Sequence, residues 1–325
     1  MDIPAGLSYR EQLVDRRQQL VSIATRRGGN AEIEQLLDEV DAALQRISAG
    51  TFGRCETCGD PIEADRLFAD PLTRFCLDHL TPRAQRALQQ DLDMAVRIQR
   101  ELLPRPERRF DGWEFAYHYQ PAGPVSGDYC DLIPGSDGEL YFLLGDVAGH
   151  GVAAAMLMSH LSALLRTLIS IGLPLEQLME RTSRVFCEST LPMHYATLVC
   201  GRAERSGEIE LCNAGHPPPL VIAQNGIERI EATGLPIGLF CTEQFTSRRL
   251  RLQQGETLLL YTDGVLEARD PDGDEYGLDR MLALITSAER TGPSPLVESC
   301  VREIAAFGRS PSFADDVSIL ALRRT

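Results

Sequence analysis

Apolar residues recur at helical spacing through the first hundred positions and at strand spacing through much of the remaining chain. Leu, Ile, Val and Ala are interleaved with charge over residues 8–25 and 31–48, and Leu36, Leu37, Val40, Leu44 and Ile47 fall on one stripe. Separated by Arg26-Arg27-Gly28-Gly29-Asn30, the two runs predict an antiparallel helical hairpin. Residues 82–103 make a third amphipathic run, in which Leu88, Leu92, Ala95, Ile98 and Leu102 repeat every three or four positions. Pro82 suits a first helical position, and Pro104 and Pro106 stop the run. It reads as a connecting helix, either a dimeric coiled coil or a helix laid on the next domain.

From Trp113 the period becomes two, with Trp113, Phe115, Tyr117 and Tyr119 on one face. Strand-like runs continue at 139–147, 195–203, 207–213, 219–224, 227–231, 246–252, 256–262 and 316–323. Asn225-Gly226 and Gln254-Gly255 are hairpin signals, so antiparallel pairing is expected. Helical patterns intervene at about 152–170, 175–190, 278–290 and 295–307. The order predicts an α+β fold in which two packed antiparallel sheets are flanked by helices. Three regions result: a hairpin with a small metal module at 1–80, a connecting helix at 81–106, and the sheet domain at 107–325.

Composition narrows the chemistry. A chain of 325 residues with 43% apolar content can bury a sizeable core. Its first residues lack a basic start followed by an apolar block, and Ser159, His160 and Arg166 interrupt the most apolar helix. The expectation is a cytoplasmic protein with neither a secretion signal nor a membrane span. Nine cysteines, an odd number, point to a reducing compartment, with most of those outside the metal module expected as buried thiols. A net charge of -15 argues against a nucleic-acid surface, and most of the excess lies in residues 111–325, where 16 arginines face 29 acidic residues. All 32 basic residues are arginine. Without lysine there is no P-loop, kinase-type or pyridoxal-type lysine, so phosphate chemistry must rest on metals and arginine.

Two kinds of metal ligand stand out. Cys55 and Cys58 form one knuckle and, seventeen residues on, Cys76 and His79 form another, with a short β-like insert expected between them. That set suits a structural Zn2+. Acidic residues sit at the ends of apolar runs far apart in the chain: Asp128 in SGDYCD, Asp146 in GDVAGHG, Asp263 in LLLYTDG, and Asp315 and Asp316 in FADDVSIL. Carboxylates delivered by separate strands suit hard divalent cations.

Residues 31–80 resemble the zinc finger of the DksA/TraR family, down to GDPI after the first knuckle and RL before the second. A second resemblance spans residues 95–325. SGDYCD, GDVAGHG, NAGHPPPL, GLPIGL, LLLYTDGVLEA and ADDVSIL occur in the order of the SpoIIE/RsbU-type branch of the metal-dependent PPM serine/threonine phosphatases, and IQRELLP resembles the segment before that domain.

The resemblance implies a PPM-type α-β-β-α sandwich holding two Mn2+ or Mg2+. Asp146 would bridge the ions, the Val147 carbonyl would help the second, and Asp263 with Asp315 or Asp316 would complete the first. Asp128 would be the motif-one carboxylate that holds a water, acting with Asp146 in catalysis. The implied reaction is hydrolysis of phosphoserine or phosphothreonine on a regulatory protein without a covalent intermediate. By the same resemblance the substrate is a STAS-type anti-sigma-factor antagonist in partner-switching signalling. Homodimerisation through the connecting helix is expected, with no direct nucleic-acid or membrane contact. The competing expectation is a zinc-finger adaptor of the transcription machinery that carries a degenerate phosphatase scaffold.

Overall fold

The computed structural model describes residues 5–27, 31–80, 82–104, 109–191, 194–287, 292–309 and 313–325, and the chain divides into two compact units, 1–91 and 92–325. In the first, helices α1 (Ala5–Arg27) and α2 (Ala31–Ser48) form the expected hairpin, its tip at 28–30 lying outside the described residues. Leu13, Val40 and Ala43 are buried in its seam, and Arg17 pairs with Asp41 at 2.6 Å.

The segment between the knuckles is not β-like. A single bridge joins Arg54 to Pro61 around the first knuckle, and a short helix, α3 (Ala64–Ala69), leads to the second. Leu67 is buried on its inner side, while Arg66 donates to the Phe75 carbonyl at 2.8 Å and to Glu63 at 3.1 Å. Helix α4 (Pro82–Leu102) spans the boundary between the units.

The second unit is the expected α-β-β-α sandwich. One sheet is ordered β1 (Arg109–Phe110), β2 (Trp113–Gln120), β11 (Val317–Arg324), β10 (Thr257–Tyr261), β7 (Leu220–Ala223) and β8 (Gly226–Arg229). The other is ordered β3 (Asp128–Pro134), β4 (Leu140–Val147), β5 (Ala196–Ala203), β6 (Glu208–Ala214) and β9 (Arg248–Arg251), and every pairing is antiparallel. Helices α5 (Gly151–Ile171) and α6 (Leu175–Ser189) cover the five-stranded sheet, and α8 (Gly277–Ser287) and α9 (Pro293–Gly308) cover the six-stranded one. A short helix, α7 (Asp263–Leu266), comes directly after β10.

Both faces of each central strand are buried, which is why LYFLL and TLLLY read as unbroken apolar runs. Leu140, Phe142 and Leu144 meet Leu258, Leu260, Leu320 and Leu322 between the sheets. The alternate residues Tyr141, Leu143 and Val147 face α5 and α6, while Leu259, Tyr261, Ile319 and Ala321 face α8 and α9. Helix α5 is apolar and long enough to cross a membrane by composition alone, yet Ala154, Met158, Leu161, Leu165 and Ile169 are buried in this core.

Strand β3 carries no alternation that would announce it. It pairs with β4 from Asp128 opposite Asp146 to Pro134 opposite Leu140, and its acidic residue Asp131 is fully buried. Arg166 of α5 grips both Asp131 oxygens, at 2.8 and 2.9 Å, and the Tyr129 hydroxyl donates to it at 2.9 Å. The cysteines also depart from expectation. Cys187, on α6, and Cys241 are joined in a disulfide across 54 residues of sequence, whereas Cys130, Cys200, Cys212 and Cys300 are buried thiols. The sequence could not pair them, because helix and loop meet only after the domain folds.

Candidate metal centres

The apolar layer between the sheets turns polar at one end. Counting by two from its apolar members along each strand gives Asp128 on β3, Asp146 on β4, Thr197 on β5, Asn213 on β6, Thr262 just past β10 and Ser318 on β11. Asp128, Asn213, Thr262 and Ser318 are all at most 1% exposed. Strand register brings Asp128, Asp146 and Thr197 side by side across three strands. The same periodicity that builds the core thus delivers carboxylates to its rim.

Asp263 opens α7 one residue beyond Thr262, and Asp315 lies just before β11, the strand paired with β10. Burial pushes the Asp146 carboxyl up to about 8, and the charges of Asp263, Asp315, Asp316 and Glu267 add to it. Asp263 is raised by burial and then by Asp315. Asp128 lies far above the usual carboxylate range through burial and then the charge of Asp146, although the nearby Ser318 hydroxyl and the hydrogen bond from Thr262 oppose the shift. These side chains therefore converge, and their own repulsion is the force a divalent cation relieves. An all-oxygen, partly buried donor set of this charge fits Mg2+ or Mn2+.

Raised folded-state carboxyls fix the sign of a pH effect. Between about pH 4, where an unfolded Asp ionises, and the value near 8 for Asp146, the folded state holds more protons than the unfolded. Stability without metal should therefore fall as pH rises through that window, and added Mn2+ should stabilise more at pH 7.5 than at pH 5. Thermal unfolding with and without Mn2+ at the two pH values checks this.

Asp315 and Asp316 have separate positions. Asp316 accepts from the Ala122 N–H at 2.8 Å, the Ser126 hydroxyl at 2.7 Å and the Gly127 N–H at 2.9 Å. Both its oxygens hold the loop that leads into Asp128, while Asp315 Oδ1 accepts only the local Asp316 N–H among the described hydrogen bonds. The loop is gripped from the other side by Gln99, the one buried residue of α4, whose amide donates to the Ser126 carbonyl at 2.7 Å and accepts its N–H at 3.0 Å. Thr262 closes the set by donating to Asp128 Oδ2 at 3.1 Å.

Two glycines permit this closeness. A Cβ at Gly127 would lie 2.9 Å from the Val147 carbonyl oxygen and 3.3 Å from Asp146 Oδ1. A Cβ at Gly264 would come within 2.1 Å of the Asp316 carbonyl oxygen and 3.4 Å of the Asp315 Cβ. Backbone cannot yield as a side chain does, so Gly264→Ala should push the 315–316 segment away. We expect a loss of about 1–3 kcal/mol of stability from overpacking and a loss of Mn2+ affinity, read by thermal unfolding and metal titration.

The second centre lies in the other unit. Cys55, Cys58, Cys76 and His79 place their donor atoms within 4.8 Å of one another, the only such group among the described residues, so the aspartates are the looser set. The Cys58 and Cys76 sulfurs are 3.8 Å apart and His79 Nδ1 is 3.2 Å from Cys76 Sγ. A tetrahedron with Zn–S bonds near 2.3 Å has an S–S edge of about 3.8 Å, so the cage has the size of that ion. Burial opposes ionisation of Cys55, but the backbone N–H groups of Cys76, Cys58 and Thr57 outweigh it and bring the thiol down to about 6.

Comparison with known proteins finds one family profile in each unit. The family profile described as Stage II sporulation protein E (SpoIIE) matches residues 136–325, more than half of the chain. The chain belongs to the SpoIIE family. The profile described as prokaryotic dksA/traR C4-type zinc finger matches residues 50–78, one short of His79, the fourth donor here. Phosphoserine phosphatase RsbP of Bacillus subtilis is 30% identical over 196 residues, 58% of this chain and 48% of that protein. The RsbU and RsbW domains of Rv1364c from Mycobacterium tuberculosis superpose with a TM-score of 0.56 at 30% identity, over 66% of this chain and 62% of that one. The SiaA-PP2C domain of Pseudomonas aeruginosa superposes with a TM-score of 0.65 at 21% identity, over 75% of this chain and 98% of that one, and shares the fold. This SpoIIE-family chain spans between 41% and 59% of the length of the curated relatives RsbP, RsbU and IcfG.

Within the SpoIIE-family domain the structure brings Asp128, Asp146, Val147, Asp263 and Asp315 to one rim and turns Asp316 to the 122–127 loop. Sequence reasoning did not single out Gln99, Thr262 or Glu267. Glu267, at the end of α7, is raised by burial and then by Asp263, which puts it among the acids. Its place in LLLYTDGVLEA, one helical turn after Asp263, was the available signal.

Proposed function

We propose that the second unit is a metal-dependent protein serine/threonine phosphatase that hydrolyses phosphoserine or phosphothreonine on a regulatory protein in the cytoplasm. The observation that carries the reading is the convergence of Asp146, Asp263 and Asp315 at the rim of the sandwich, where burial first and then the charges of Asp263 and Asp315 raise Asp146 to about 8. Asp146 with Asp263 and Asp315 would hold one divalent cation, and Asp146 with the Val147 carbonyl the other. When bound, two such cations lower the pKa of a shared water and neutralise phosphoryl oxygens.

The chain's own groups then have definite tasks. Asp128, held by Thr262, orients a water at the rim. Asp316 takes no part in metal binding and fixes the loop that presents Asp128. Neither a nucleophilic side chain nor a lysine is required.

The family points to a partner-switching substrate, a STAS-type anti-sigma-factor antagonist. Leu88, Met94 and Ile98 of α4 are exposed and support pairing of two copies through the connecting helix. The zinc set is structural in this reading. Purified protein with Mn2+ should release phosphate from a phosphoserine-bearing STAS-domain protein, and EDTA should abolish the release. No turnover, together with stoichiometric capture of RNA polymerase, would favour the transcription-adaptor reading instead.

A further inference from the structure

His216 is the one imidazole in the polar end of the inter-sheet layer whose role the phosphatase reading leaves open. It is 3% exposed. The turn that carries it is fixed: the Asn213 side chain accepts the His216 N–H at 2.8 Å and donates to its carbonyl at 3.1 Å. Gly215, at φ +68°, makes the bend, and any Cβ there would meet Pro236 at 2.8 Å. The ring is therefore placed by backbone rather than by adaptable packing.

One edge of the ring meets the five-stranded sheet, where Nδ1 lies 2.8 Å from the Thr197 hydroxyl. Thr197 is the register partner of Asp146. The other edge faces the six-stranded sheet, at the Tyr261 backbone, and Nε2 there is buried without a closed hydrogen bond. Tyr261 ends β10 and is followed by Thr262, which holds Asp128, and by Asp263. The turn is tied to β10 by the Tyr261 hydroxyl, which donates to the Pro218 carbonyl at 3.1 Å.

We propose that His216 is a positioning residue for the cation-binding aspartates, a rigid spacer that sets β5 beside Asp146 at a fixed distance from the end of β10 that delivers Asp263. The inference rests on the phosphatase reading of the same rim. An apolar residue would fill the volume without leaving a buried nitrogen unsatisfied, so packing alone does not account for an imidazole here. Burial holds the ring's basicity down to about 3, which keeps it neutral and suits a spacer rather than a proton carrier. Supports of metal ligands of this kind typically change metal affinity by about 10–100-fold when removed.

The test uses the full chain and Mn2+ as the probe, with free Mn2+ followed by electron paramagnetic resonance during titration. His216→Leu removes both nitrogens, and Thr197→Val breaks the same tie from the opposite side without touching the histidine. Both should bind Mn2+ about tenfold more weakly or worse. The KM for a phosphoserine peptide at saturating Mn2+ should stay at the wild-type value. His216→Asn, whose amide can occupy the Nδ1 position, should recover part of the loss. Wild-type Mn2+ affinity in both Leu and Val variants, with only the melting temperature lowered, would overturn the proposal. A wild-type protein that binds no Mn2+ would instead bring down the phosphatase reading and the proposal with it.

Discussion

Replacing Asp146 with Asn should leave a folded protein that no longer releases phosphate, with turnover from a phosphoserine peptide reduced about a thousandfold or more. Asn keeps the size and one carbonyl oxygen but removes the charge on which both cations would depend. The opposite sign is expected for stability. Burial and the neighbouring charges of Asp263 and Asp315 oppose ionisation of Asp146, so its folded-state carboxyl lies near 8. At pH 7.5 an unfolded Asp is fully ionised, so the native state is penalised for holding a group that resists losing its proton. Asp146→Asn removes that penalty. Metal-free variant should melt at or above the wild-type temperature at pH 7.5 and gain little from Mn2+. Substantial turnover by the variant would mean that the rim is not the active centre. A variant that melts well below wild type without metal would mean that Asp146 serves the fold through its charge.

Zinc should matter most to the first unit. The buried cluster around the knuckles consists of Cys55, Ile62, Leu67 and Cys76, so two of its four members are themselves ligands. Ile62 and Leu67, with the half-buried rings of Tyr9, Phe52 and Phe75 packed against them, each supply about 3 kcal/mol of burial at best, against a backbone cost of roughly 1–2 kcal/mol for every ordered residue of the segment. Structural zinc in small fingers contributes about 10–16 kcal/mol, enough to decide folding outright. Chelation, or Cys76→Ser, should therefore leave residues 50–80 without hydrogen-exchange protection while the α1–α2 hairpin keeps its helical signal. One equivalent of zinc should be lost in parallel, measured by metal analysis. Protection that survives complete zinc removal would show that the Arg74–Glu56 pairing and the α3 packing suffice.

Much of the architecture was legible because its signals are local. Helical spacing gave α1, α2 and α4, and period two gave the strands from β4 onward. Asn225-Gly226 does turn β7 into β8, whereas Gln254-Gly255, expected to close a hairpin, instead carries the chain from β9 in one sheet to β10 in the other. The knuckles are read directly, since each pair of ligands lies within one turn of chain. Strand β3 escaped because Cys130 and Asp131 are both buried, so neither face shows polar contrast. The insert between the knuckles escaped because six residues are too few to display a period.

The sequence alone determined which side chains could do chemistry: the two knuckles, the carboxylates at ends of apolar runs, and a chain without lysine. It could not show that Asp316 holds the 122–127 loop, pair Asp131 with Arg166, join Cys187 to Cys241, or see that Gln99, Thr262 and His216 brace the acidic rim. Each of those partnerships spans between 19 and 194 residues and leaves no local pattern. Neighbours along a strand or helix are fixed by backbone geometry and can be read from spacing. Neighbours across two sheets exist only once the apolar layer has closed and set the register that brings them together.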